Sequence, residues 1–148
     1  MNWNDEALKI ASTFDRRELL VEDLYAFKMW AGRLQQHVRS GMGFPTSTWY
    51  AIANRAAAAL PDWTPEKCAD LLVRKQHDYG HDNINAFGHI GIAVRLSDKI
   101  ARLLNLKDRV PAVGDESASD TLEDIVGYCV IALMLENSTF NLHLKDAA

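Results

Sequence analysis

Cysteine is scarce in this chain, with two among 148 residues. Cys68 and Cys129 both fall on the apolar sides of expected helices, which predicts reduced core thiols rather than a disulfide. Basic charge is in deficit too: 16 Lys and Arg stand against 20 Asp and Glu, a formal net charge of −4, with a pI near 5.7. A nucleic-acid binder needs a basic footprint, so that class is set aside. No apolar run approaches the length of a membrane span. The opening residues, Met1 to Glu6, lack the basic and apolar regions of a signal peptide, and the expectation is a soluble cytoplasmic protein. Strand-like alternation, internal repeats and low-complexity segments are missing as well. What remains is helical periodicity over a length that suits one domain, 1–148, able to bury a core.

In chain order, Asn4 is expected to cap a short helix through about Phe14. Asp15, with Glu18 three residues on, resembles a capping box opening a longer helix to Ser40. Its buried stripe is expected to be Leu20, Leu24, Phe27, Trp30 or Ala31, and Leu34, with Gly41 and Gly43 ending it. Glu18, Glu22 and Asp23 lie near its start; Glu22 reads as an exposed acid or an additional metal ligand. Thr46 or Ser47 opens a third helix through the alanine run to Leu60, stopped by Pro61. Thr64-Pro65-Glu66 joins a cap residue, a first-turn proline and an acid, a strong helix start. That fourth helix ends before Gly80, a terminator. A polar, glycine-bounded loop covers 81–88, the kind of segment that often lines a site. A fifth helix spans about His89 to Leu106, a connector with Pro111 and Gly114 covers 107–115, and a last helix reaches about Asn137. The tail to Ala148 is expected to pack weakly or fray. The fold class is all-α, a bundle of about five to six helices.

The last helix carries the most information. At about 100° per residue, Leu122, Ile125, Val126, Cys129, Val130 and Leu133 share one side. Glu116, Asp120 and Asp124 stand four apart on the other, with Gly127 leaving space beside them. Ile131, Met134 and Leu135 continue that acidic side with apolar residues, so the helix is amphipathic first and buried all round afterwards. Closely spaced carboxylates repel one another unless a cation lies among them, and hard oxygen donors suit Mg²⁺ or Mn²⁺. Acids near a helix N-terminus also favour the helix dipole, which accounts for Glu116 and Asp120 but not for Asp124.

The polar side of the fifth helix gathers Arg95, Asp98, Lys99, Arg102 and Asn105. One reading is a surface ladder of ion pairs at i, i+3 and i+7, worth little. The other sets Asp98 across a bundle interface from the acids of the last helix, as bundle metal sites are built, with the cations on phosphate oxygens.

The run K-x-x-D-Y-G at Lys75 to Gly80, F-G-x-x-G at Phe87 to Gly91, R-x-x-D-K-x-x-R-L-x-N-L at Arg95 to Leu106 and E-x-x-x-D-T-x-x-D-I-x-G-Y at Glu116 to Tyr128 resembles the phage and bacterial nucleotide modification associated domain 1 group. That group is similar to the MazG-like all-α nucleoside triphosphate pyrophosphohydrolases, and some phage members are described as acting on dATP and dGTP. The resemblance covers about residues 70 to 135. It implies Mg²⁺-dependent hydrolysis of a (deoxy)nucleoside triphosphate to the monophosphate and pyrophosphate, in a dimer or tetramer. Asp98, Glu116, Asp120 and Asp124 would hold the metal, and Lys75, Arg95, Lys99 and Arg102 would offset charge on the phosphates. Asp78, Tyr79, Phe87, Asn105 and Tyr128 would contact substrate, the aromatic ones by stacking on a base, although each aromatic also suits a core position. One departure from the better-known MazG pattern is that Asp98 has no E-x-x-E around it, and Thr121 occupies the position three before Asp124.

Two rival readings remain at this level. His77-Asp78 and His81-Asp82 invite an HD-type phosphohydrolase, although both pairs fall at a helix end and loop. The charged stripes could also belong to a non-enzymatic interaction module. Under the metal reading, Asp120→Asn or Asp124→Asn abolishes turnover with the helical circular-dichroism spectrum unchanged; near-normal turnover of both at saturating Mg²⁺ removes the assignment.

Overall fold

The computed structural model describes residues 1–16, 24–41, 43–106 and 118–145. Among the described residues there are seven helices and no strand: α1 (Trp3–Ala11), α2 (Leu24–Ser40), α3 (Thr46–Ala58), α4 (Pro65–Tyr79), α5 (Asp82–Asn85), α6 (Gly88–Leu106) and α7 (Ala118–Glu136). The expected all-α bundle is therefore the fold, with one short helix more than the sequence indicates.

The centre is α7. Every residue from Cys129 to Met134 is buried, so this half of the helix has no solvent face and needs neighbours on all sides. α3 and α6 supply two of them, and α1 and α4 close the remainder. On α3 the alanine run allows close approach, with Ala53, Ala56 and Ala57 fully buried beside Trp49 and Ile52. Pro45 gives α3 no side-chain cap, and Glu136, at the end of α7, takes over that position. Its carboxylate accepts from Thr46 Oγ1 at 2.7 Å and from Trp49 Nε1 at 3.0 Å, placing a negative charge where the dipole of α3 favours one. α6 lies between α7 and α2, with Ile92, Leu96, Ile100 and Leu103 inward. Phe27, Trp30 and Leu34 of α2 are buried as expected.

Several boundaries differ from the sequence reading. Asn2, not Asn4, caps α1, its Oδ1 accepting from Asp5 N at 2.9 Å. Asn4 instead accepts from Lys145 N at 3.1 Å. Residues 12 and 13 form a turn and 14–16 belong to no helix, so Asp15 caps none at Arg16. Asp15 N donates to Asn54 Oδ1, and the Arg16 guanidinium donates to the carbonyls of Ala57 and Leu60. Arg16 thereby adds a second donor to the carbonyls at and just beyond the end of α3, which also accept from Leu60 N and Trp63 N. Glu18, Leu20, Glu22, Asp23 and the connector 107–115 lie outside the described residues.

Thr64 and Pro65 start α4 as read, Thr64 Oγ1 accepting from Lys67 N at 3.1 Å. Gly80 ends it at φ 70°, a backbone setting that glycine reaches without strain. The expected loop 81–88 contains α5.

As far as Lys145, the tail is docked rather than frayed. Phe140 is 1% exposed and meets Trp3 and His81 edge-on at 6.3 and 5.4 Å. Trp3 N donates to His143 O at 2.9 Å, and Asn85 Nδ2 donates to Asn141 Oδ1 at 2.6 Å. Phe140→Ala is expected to cost about 3 kcal/mol and to lower the melting temperature by roughly 10 °C. A shift under about 2 °C in a calorimetric scan would mean that the tail contributes no packing.

Candidate functional site

α4 and α7 run antiparallel across a close contact and then flank an opening. At the contact a Cβ on Gly127 would come 3.0 Å from Leu72 Cδ2. The space expected beside the acids at Gly127 is therefore filled by Leu72, and glycine is what lets the two helices meet. From this contact a cleft of about 840 Å³ opens between α4, α6 and α7, with the α3–α4 corner and α5 at its edges. Such a volume falls within the range of small-molecule sites.

The lining mixes charged and apolar side chains. Lys75, Arg95, Lys99 and Asp124 line it together with Trp63, Cys68, Leu71, Tyr128 and Ile131, and Asp62, Lys67, Asp70, Arg74 and Glu123 add further charge. Asp124 and Ile131 are two turns apart on one side of α7, a separation of about 10 Å along the axis.

Asp124 holds the charged residues Lys75 and Lys99 together. Lys75 Nζ, from α4, donates to its Oδ1 at 2.7 Å, and Lys99 Nζ, from α6, lies 3.0 Å from its Oδ2. One carboxylate thus joins three helices through both of its oxygens. The side chains of Lys75, Lys99 and Asp124 are 45%, 24% and 19% exposed, so the group is wet at one edge. Arg95 lines the same cleft one turn before Lys99.

Other residues expected in one site are separated. Asp98 does not face the acids of α7; it lines a shallow depression with Gln35, Val38, Arg39, Val94 and Ser97, between α6 and α2. Its position on α6 is about 100° away from that of Lys99, enough to turn it to the opposite groove. Arg102 is half-buried on α6 and Asn105 is exposed, and neither lines the cleft. Asp78 is exposed at the end of α4, its Oδ1 3.6 Å from Nδ1 of His77. Phe87 is exposed at the start of α6, over Gly91 and away from the cleft lining. Tyr79, largely exposed, edges the cleft, and Tyr128 forms part of its wall. Asp120 is exposed one turn before Asp124, and Glu116 lies outside the described residues. His81 turns to Gln76 and Phe140, so His77-Asp78 and His81-Asp82 do not form one group.

Among the described residues no cluster of three or more His, Cys, Asp or Glu side chains is placed to hold a metal ion. The four-acid set Asp98, Glu116, Asp120 and Asp124 is not assembled within them. Asp120 and Asp124, hard oxygen donors one turn apart, still match Mg²⁺ or Mn²⁺ in donor type. Sequence reasoning missed Arg74, Lys67, Glu123 and Trp63 as cleft residues. Lys67, Arg74 and Lys75 follow one another around α4, which could have indicated a basic side; nothing local in Trp63 indicates a cleft wall.

Both cysteines are free and buried, as expected. Burial pushes the Cys68 thiol from the ordinary value near 9 up to about 12; the Trp63 side chain opposes the shift, and the charge of Glu123 adds to it. Burial also raises Cys129, with Cys68 adding to it. Since the folded value of Cys68 exceeds the unfolded one, the stability tied to its proton is intact below about pH 9 and falls as pH rises towards about 12. A chromogenic disulfide reagent at pH 8 is expected to leave both thiols untouched in the folded protein and to titrate both in guanidinium chloride. Rapid reaction of either under native conditions would contradict this environment.

A family model described as nucleotide modification associated domain 1 matches residues 75–135. No curated protein and no solved structure matches the chain. The matched stretch begins at Lys75 and contains Arg95, Lys99, Asp124 and Tyr128 of the cleft, whereas Trp63, Lys67, Cys68, Leu71 and Arg74 precede it.

Proposed function

We propose that the cleft binds a (deoxy)nucleoside triphosphate and hydrolyses it between the α- and β-phosphates, releasing the monophosphate and pyrophosphate. The observation that carries this reading is the convergence of Lys75 and Lys99, from different helices, on the two oxygens of one carboxylate inside the cleft. Two ammonium groups so placed are also placed for the oxygens of a phosphate. Arg95 adds a planar donor set one turn away. The apolar wall at Trp63, Tyr128 and Ile131 suits the base, and Tyr79 stands at the rim. The matched family's description points to nucleotides as well.

In this reading Lys75 and Lys99 hold phosphate oxygens, and Arg95 offsets the charge that develops as the anhydride breaks. The walls of α4 and α6 fix the triphosphate across the floor formed by α7, which keeps the reacting phosphorus in one orientation. Asp120 and Asp124 are the described residues that would hold a divalent cation, which supplies Lewis-acid polarisation and a more acidic water when bound. The purine deoxynucleotides dATP and dGTP are the substrates put first, from the resemblance of the motifs.

The test is to incubate the protein with each of eight NTPs and dNTPs and Mg²⁺ and to resolve the products by chromatography. Monophosphate plus pyrophosphate is expected, fastest from dATP or dGTP. Intact triphosphate plus nucleoside, or no turnover of any of the eight, overturns the reaction. Arg95→Ala is expected to lower kcat at least ~10²-fold with the fold intact, and Arg95→Lys to restore only part, since a point charge cannot reproduce the guanidinium fork. Wild-type kinetics in Arg95→Ala would return Arg95 to a structural role.

A further inference from the structure

Asp124 is an unusual floor for a phosphate site, because it already occupies the two cations that the phosphate needs. Its oxygens take Lys75 at 2.7 Å and Lys99 at 3.0 Å, a two-point recognition that a phosphate group would reproduce with two of its own oxygens. The three side chains are not sealed in the core. Lys75 is nearly half exposed and Lys99 about a quarter, so both ammonium groups can exchange one anion for another without unpacking a helix. Asp62, Asp70 and Glu123 line the cleft along with Lys67, Arg74 and Arg95, but at Asp124 itself two lysines share one carboxylate. A polyphosphate carries more charge and more acceptor oxygens than a carboxylate, so it competes with advantage.

Resting on the nucleotide reading above, we infer that Asp124 is a built-in occupant of an oxyanion subsite formed by Lys75 and Lys99. A polyphosphate enters this subsite by displacing Asp124. The displaced carboxylate is then available to a divalent cation, and a cation taken up by Asp124 weakens its hold on the two lysines in turn. Anion and cation binding therefore reinforce each other, by the same factor in both directions. Without a ligand, the Asp124 bridge neutralises two neighbouring ammonium groups whose repulsion would otherwise spread α4 from α6. The bridge thus makes the lysines less accessible to weak monovalent anions than to polyphosphates.

A purely structural brace makes a different prediction from a displaceable occupant. Each partly exposed ion pair costs a competing anion a factor of up to about five. The full-length protein is titrated calorimetrically with inorganic pyrophosphate in EDTA, at fixed low salt. Asp124→Asn, which keeps the volume and removes the charge, is expected to bind pyrophosphate about 10-fold more tightly than the wild type. In the absence of any anion, Lys75→Gln and Lys99→Gln are expected to tighten Mn²⁺ binding several-fold, read by electron paramagnetic resonance. These lysine variants also cover the case in which Asp124→Asn fails to fold. Equal or weaker pyrophosphate binding by folded Asp124→Asn, or Mn²⁺ affinity unmoved by both lysine variants, overturns the inference. Tighter binding by Asp124→Asn in a protein that hydrolyses none of the eight nucleotides would reject the reaction and keep the subsite. Hydrolysis without the binding change would do the reverse.

Discussion

A helix that is apolar all the way round can exist in water only if other elements enclose it, and the second half of α7 is such a helix. Six consecutive buried residues, Cys129 to Met134, make it the axis on which α1, α3, α4 and α6 are arranged. Each large side chain among them stabilises the fold by about 1.5–3 kcal/mol when withdrawn from water. The alanines of α3 and the glycine at 127 follow from the same demand. The alanines let α3 lie close, and the missing side chain at 127 accommodates Leu72. Glu136 marks where the enclosure ends, its carboxylate taken by Thr46 and Trp49 as α7 reaches the N-terminus of α3.

The cleft follows from the other half of the same helix. Before Gly127, Leu122, Ile125 and Val126 remain buried, and one side of α7 carries Asp124 into the cleft. A carboxylate that is four-fifths buried is costly unless its charge is met. The two lysines that meet it come from the helices forming the walls of the cleft. Electrostatic compensation of one buried-edge acid therefore gathers cations on both walls of an opening that Trp63, Tyr128 and Ile131 also line. The site is thus a consequence of how the bundle closes, and its chemistry of how that closure is left incomplete.

How much of this is legible in the chain differs from residue to residue. Thr64 and Pro65 announce α4 because capping and a fixed φ act within a few residues. The stripe Leu122 to Leu133 announces the core face of α7 because burial has the helix period. The cap of α1 was displaced by two residues, since Asn2 and Asn4 are equally able to cap, and the tail at Lys145 engages Asn4. Asp15 looked like a cap, but the carbonyls at the end of α3 engage Arg16 beside it. The tail looked loose because its anchor, Phe140, is one aromatic in a polar stretch whose pocket is built by Trp3 and His81, far away in sequence.

The site divides along the same line. Lys75, Arg95, Lys99 and Asp124 were all nameable from the chain, and all four line the cleft. Asp98 was named with them and lies in another groove, because spacing within one helix gives angles between residues but not which neighbouring helix fills which angle. By itself the sequence determined the all-α class, the core stripes of α2 and α7 and the set of charged residues available for chemistry. These depend on local periodicity and capping, whose range is a few residues. Only the tertiary structure decided that Asp124 meets Lys75 and Lys99, that Asp98 does not join them, and that Trp63 and Cys68 wall the same cleft. Those pairings bridge tens of residues, and they are set by the burial of α7, which no short stretch of the chain encodes alone.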